Sequence, residues 1–264
     1  MLDDQEFSFR TDFGGFPFLS DQFNASRLLA AVAVRRAKRL SASGEAAHIN
    51  GHADLVTLLS PPNALKVRTL ETHSNVQQIH HYALSPQQIG QVSEAQQLII
   101  TAMPAWKQLI SLPLSFRGLA DSPAISASSF AYPQHIFLAP ESFASPTELM
   151  EQILHETSHN WLYLIGEIWA LQHAQRHTLL TLPSGTADRE PGEVLGATHV
   201  VRNLIRLYES LPELEVASRR LQELWEYYRG CEQLIDQVRP ELTFIGKELE
   251  EDLRERLYEE QPYV

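Results

Sequence analysis

Along most of the chain apolar positions recur every three or four residues, a period that predicts helices, and Pro, Gly and Ser interrupt it. Leu28, Leu29, Val32 and Leu40 share one such face, which predicts a helix to Leu40 capped by Asp21 or Asn24. Ser85-Pro86-Gln87-Gln88 has the form of a capping box with proline at the first helical position. The helix it opens should run toward Leu109 and be divided at Pro104. Ser145-Pro146-Thr147-Glu148 is the clearest helix start: Ser145 can accept from the amide of Glu148, and Glu148 can reach back. That helix is expected to continue to about His173. Further helices are predicted over 193–210, 212–238 and 241–260, the second stopped before Pro240. Strand signals are sparse: 67–70 and 135–138 are the candidate strands. Phe7, Phe9, Phe13, Phe16, Phe18 and Phe23, interrupted by Gly14, Gly15 and Pro17, read as an irregular arm over 1–23 laid on a core by its aromatic rings. With no repeat and no linker, the pattern predicts a single, mostly α (α+β) domain over 1–264 with a few short strands.

Composition narrows the function. The 264 residues are 44% apolar, enough for a sizeable core. Lys and Arg number 21 against 33 Asp and Glu, a formal charge of −12. That balance excludes nucleic acid as the expected partner, because neutralising phosphates needs surplus cations, and it argues against docking on anionic lipid. The one basic cluster, Arg35-Arg36-Ala37-Lys38-Arg39, reads as a solvated last helical turn that complements the helix dipole, or as a seat for an acidic peptide. No run reaches the ~18 apolar residues of a membrane span. The acidic residues 1–10 lack the pattern of a secretory signal, so a cytoplasmic location is expected. Cys231 is the only cysteine, which rules out an intramolecular disulfide and any Cys-rich metal site. A bound metal must therefore be held by histidine and carboxylate, and there are 11 histidines.

His155-Glu156-Thr157-Ser158-His159 is an HExxH motif on the helix that Ser145 opens. Residues four apart on a helix differ by about 40° in direction and roughly 6 Å in rise, so both imidazoles can converge on one ion. Leu149, Ile153 and Leu162 can bury the helix, and Glu156 can face metal-bound water or support the ligands from behind. A strand just upstream and this central helix together suggest a zincin-like arrangement. An open catalytic site needs a third protein ligand. On a continuous helix His173 would lie about 27 Å from His155, which excludes it, and His177 suffers similarly. Adjacent His80 and His81, with His73, point in different directions and do not suit a shared metal. His199 is favoured, beside Gly196 and Ala197, whose small size permits close helix approach. Glu193 and Glu209 are carboxylate alternatives, and an ordinary core histidine is the plain reading of His199.

Two chemistries fit a metal so held. Zinc would support peptide hydrolysis with Glu156 as general base, the strand at 135–138 aligning substrate as an edge strand. Ferrous iron on three facial ligands would leave positions for a 2-oxo acid and dioxygen. Arg202 and Arg206, on roughly the same helix face as His199, could then hold the co-substrate's distal carboxylate; salt bridges to Glu209 or Glu213 are the alternative. A third reading is a non-catalytic peptide-binding domain with a vestigial metal site.

His155-Glu-Thr-Ser-His159-Asn160, with Pro191 and Val194-Leu195-Gly196-Ala197-Thr198-His199-Val200, resembles the HExxH-type 2-oxoglutarate-dependent peptide β-hydroxylases, HExxH motif-containing peptide-modification proteins encoded near ribosomally made peptides. The resemblance spans about residues 145–210, a quarter of the chain, and HExxH is its one sharp motif. It implies Fe(II) held by His155, His159 and a downstream histidine, 2-oxoglutarate as co-substrate, and hydroxylation of a side-chain β-carbon in a precursor peptide. The family's downstream histidine often stands nearer the position of Gly196, so His199 departs from the pattern by a helical turn. The resemblance leaves Glu156 open between ligand, supporting residue and proton carrier. The acidic charge suits a basic leader or core peptide, and the amphipathic helices at 212–238 and 241–260 suit pairing between two copies of the chain.

Overall fold

The computed structural model describes residues 8–45, 49–71, 79–174, 178–211 and 217–260, with side chains to 254; Phe7, His73, His177 and Pro212 lie outside them. The architecture is mostly α with one small sheet. In chain order the helices are α1 (Phe9–Phe13), α2 (Ala25–Ala42), α3 (His52–Leu58), α4 (Pro61–Glu71), α5 (Pro86–Ala102), α6 (Lys107–Ile110) and α7 (Pro146–Gly166), then α8 (Pro191–Glu209), α9 (Ala217–Val238) and α10 (Phe244–Glu260). The strands are β1 (His81–Tyr82), β2 (Ser115–Leu119), β3 (Ser126–Ser129) and β4 (Tyr132–Leu138). Contacts divide the chain into two compact units, 26–168 and 1–25 with 169–264. No helix among the described residues is long and apolar enough to cross a membrane.

In the unit 26–168 the sheet order is β1-β2-β4-β3. The central pair is parallel, Ser115 opposite His135 and Gly118 opposite Leu138, and both outer pairs are antiparallel. β4 is thus an interior strand, and the edge next to it is β3; the expectation that 135–138 forms an edge is corrected. Gly118 lies under the Tyr82 ring, where a Cβ would come within 2.2 Å of it.

Local signals in this unit largely hold. Ser85 and Gln88 form the full capping box of α5, which stops at Ala102. One 3-10 turn at Pro104–Trp106 then leads into α6, the division expected at Pro104. Ser145 caps α7 by accepting from Glu148 N at 3.1 Å, but the Glu148 carboxylate accepts instead from Gln152 Nε2 at 2.7 Å, so only half of the box forms. α7 buries Leu149, Ile153 and Leu162, packs against α5, β3 and β4, and sends its Trp161 indole N–H to the Leu109 carbonyl at 3.0 Å.

Three expectations change. The run 67–70 is helical: Pro61 stands in the first turn of α4, and Ala64 and Val67, three apart, are buried. Val67 clusters with Ala33, Ala37 and Leu40 of α2, so packing on a helical face overrides β-branched propensity. Arg36 is not solvated but fully buried. α7 ends at Gly166 rather than near His173; Ile168 N closes a tighter turn on Ile165 O at 3.0 Å, and the Glu167 carboxylate is bound by Arg36. Helix length therefore does not exclude His173. That residue is exposed in the other unit, its backbone N–H on Glu241 O at 2.9 Å.

In the unit 1–25 with 169–264, the aromatic arm packs as expected but includes one helical turn. Ser8 caps α1, and Phe9, Phe16 and Phe18 are fully or almost fully buried. Phe9 stacks on Phe13 and Phe16 with Trp169 edge-on, and its backbone N–H is held by Glu248 of α10 at 2.8 Å. α9 packs on α8, and it buries Leu224, Tyr228, Cys231, Ile235 and Val238, a three-four repeat. α10 buries Leu249 and Leu253, whose carbonyl accepts the Tyr228 hydroxyl at 3.0 Å. Much of the apolar stripe of both helices is used inside this unit.

Candidate metal centre

α7 sets His155 and His159 one turn apart, with ring centroids 5.0 Å apart and planes at 64°. Both are half-buried. Glu156 points inward: its side chain is 4% exposed and Oε1 lies 4.0 Å from His155 Nε2. The Ser126 hydroxyl of β3 donates to Glu156 Oε1 at 2.6 Å and lies equally close to Gln152 Oε1, one proton shared between two acceptors. Two imidazoles and one carboxylate thus meet on a single helix face and its flank.

Beyond the pair runs an aromatic strip. His159 stacks on Tyr163 at 6.0 Å and 12°, and Phe130 meets Tyr163 at 62°. The Arg68 guanidinium lies 4.3 Å over the Phe130 ring. Tyr163 was legible as the residue four after His159, on the same face. Phe130 and Ser126 come from the polar run around β3, which carries no periodic signal.

The other predicted site residues belong to the unit 1–25 with 169–264. His199 is fully buried in α8, and its Nε2 lies 2.8 Å from the Pro17 carbonyl. A carbonyl only accepts, so Nε2 carries the proton and the lone pair is on Nδ1, 3.5 Å from Asn203 Nδ2. Burial lowers its pKa to about 4, offset in part by the Pro17 bond, so the ring is neutral. These are the contacts of a core histidine; binding an ion through Nε2 requires release of Pro17. Arg202 is fully buried with its guanidinium 5.6 Å from the Trp225 ring, and Arg206 donates to the Phe18 carbonyl. Glu193 completes the capping box of α8 with Glu190 and also accepts from Arg189 at 2.7 Å; Glu209 is exposed.

Elsewhere in the unit 26–168, His80 pairs with Asp121 at 3.2 Å. His81 and His135 flank the buried Phe137 ring. The His135 pKa is held below the usual range, first by burial, with Arg117 and His81 adding to it. Among the described residues no three His, Cys, Asp or Glu side chains form a group that could hold a metal ion. The donors of α7 nonetheless fit two positions of one ion: two neighbouring imidazoles open to solvent, with a carboxylate beside them. No protein-family model matches this sequence, and no curated protein compared with it is significantly similar.

Proposed function

We propose that this chain is a metal-dependent oxygenase that uses its HExxH helix to hold Fe(II), takes 2-oxoglutarate as co-substrate and hydroxylates a side-chain β-carbon of a ribosomally made peptide. The observation that carries the metal site is the imidazole pair of His155 and His159, 5.0 Å apart and half-buried, with the Glu156 carboxylate 4.0 Å from Nε2. The oxygenase chemistry rests on the resemblance of residues 145–210. Fe(II), when bound, supplies the activation of dioxygen that is coupled to oxidation of the 2-oxo acid. His155 and His159 are the ligands. Glu156, kept from bulk water and hydrogen-bonded to Ser126, accepts or returns a proton beside them. Tyr163 and Phe130 offer an apolar wall to a peptide side chain.

A zinc peptidase is the second reading, favoured by one observation: Glu156 sits where a general base must, beside the ligand Nε2 yet held by Ser126. Anaerobic addition of Fe(II) and 2-oxoglutarate separates the two. The oxygenase is expected to develop a weak visible charge-transfer band that His159→Ala loses, and to form succinate with its peptide. No band and no succinate with any peptide overturns it. Cleavage of peptides by the zinc-loaded protein, lost in Glu156→Gln, establishes the second reading in its place.

A further inference from the structure

The HExxH helix is gripped from behind by a buried polar chain. It centres on Gln134, in the interior strand β4, which is 1% exposed and has φ of 60°. A residue other than Gly, Asn or Asp rarely adopts that left-handed conformation, and it persists only where the surroundings over-determine it. Here they do. Gln134 Oε1 accepts from Arg36 Nη1 at 2.6 Å, and Nε2 donates to the Leu59 and Pro113 carbonyls, each at 2.7 Å. The turned backbone sends Gln134 N–H into α7, where Asn160 Oδ1 accepts it at 2.9 Å. Asn160 Nδ2 in turn donates to the Glu156 carbonyl at 2.9 Å. The chain also closes at the far end of the helix, because Arg36 binds both oxygens of Glu167, at 2.9 and 2.5 Å.

Asparagine is a poor residue for a helix interior, and this one is 1% exposed with both ends of its amide engaged. Its two bonds tie the backbone of Glu156, and the turn that carries both histidines, to the one left-handed residue of the neighbouring strand. Together with the Arg36 grip on Glu167 they stop α7 from rotating about its axis. Such a rotation would swing His155 and His159 together and carry Glu156 away from Ser126.

We infer that Asn160 is a positioning residue for the metal centre, using the left-handed turn at Gln134 as its anchor to set how the two imidazoles are presented. The inference rests on the reading of His155 and His159 as ligands. Co(II) titration of the full chain tests it, read by the visible ligand-field band and by the affinity. Asn160→Ala should weaken Co(II) binding by roughly 10- to 100-fold and alter the band, the scale seen when partners behind metal ligands are removed. Asn160→Ser, whose hydroxyl can bond the Glu156 carbonyl but not reach Gln134, should do the same. Gln134→Gly, which keeps the N–H and tolerates the positive φ, should keep the wild-type band while unfolding at a lower temperature. Folded Asn160 variants with wild-type Co(II) affinity and band overturn the positioning role and leave the metal reading standing. Wild-type protein that gives no band beyond that of His155→Ala overturns the metal reading, and the positioning role with it. Should neither Asn160 variant fold, Gln134→Gly decides: loss of the band refutes the anchor, and retention upholds it.

Discussion

Replacing Arg36 by alanine should destabilise the protein by about 3–5 kcal/mol, the cost of breaking a buried ion pair from one side. The guanidinium is fully buried and makes four bonds: two to Glu167, one to Gln134 Oε1 and one to the Leu58 carbonyl at 3.1 Å. Its removal leaves a carboxylate only 9% exposed without its counter-ion. It also orphans two buried acceptors, each worth about 1–3 kcal/mol when unsatisfied. Partial hydration of the site recovers some of this, which keeps the total within the range for broken pairs. Urea unfolding followed by far-UV circular dichroism reads the loss directly, and the melting temperature should fall by roughly 6–20 °C. Hydrogen exchange should locate the weakening in α2 and α7. The double change Arg36→Met with Glu167→Met should cost less than Arg36→Ala, because no charge is then stranded. A loss below about 1 kcal/mol in Arg36→Ala, as expected of a solvated helix-end arginine, refutes the reasoning.

Single changes His155→Ala and His159→Ala should each abolish stoichiometric Fe(II) or Co(II) binding in equilibrium dialysis. Glu156→Gln should keep the metal but lower turnover about 10²- to 10⁴-fold; loss of the metal instead would make Glu156 a ligand. His199 should make stability fall on acidification. Its folded pKa of about 4 lies below the ordinary 6.5, so the unfolded chain takes up the proton first. Stability is then flat above pH 6.5 and drops by roughly 3 kcal/mol toward pH 4. His199→Gln, which can still donate to Pro17, should flatten that fall in the metal-free protein, and an unchanged slope would contradict it. Cys231 is fully buried, and burial pushes its thiol up to about 11, partly offset by Thr198 and Tyr227. An aromatic disulfide reagent should therefore modify it only after denaturant is added; rapid labelling of native protein would disprove that environment.

Asn160 illustrates how far a local reading reaches. Its place four residues after Glu156 is visible in the letters, but its anchor is Gln134, 26 positions away. Arg36 shows the same limit: a run of basic residues at a helix end carries the ordinary signature of a solvated turn, and only Glu167, 131 positions on, makes one of them core. His199 could be placed on its helix from the pattern, yet its partner is a carbonyl 182 positions earlier.

What the amino-acid order determined by itself is everything written in contacts between residues three and four apart. That covers the Ser85 and Ser145 caps, the break at Pro104, the mostly helical architecture and the pairing of His155 with His159. Those interactions close within one turn and leave a period that can be read. The tertiary structure decided where α7 stops, that 67–70 is helix, that β4 is interior, and which way Glu156 and His199 face. Helix at 67–70 depends on apolar packing against α2 and the place of β4 on strand pairing, while the others depend on burying a polar or charged group against a partner far along the chain. The cost of leaving such a group unpaired selects the arrangement, and it leaves no mark on local spacing.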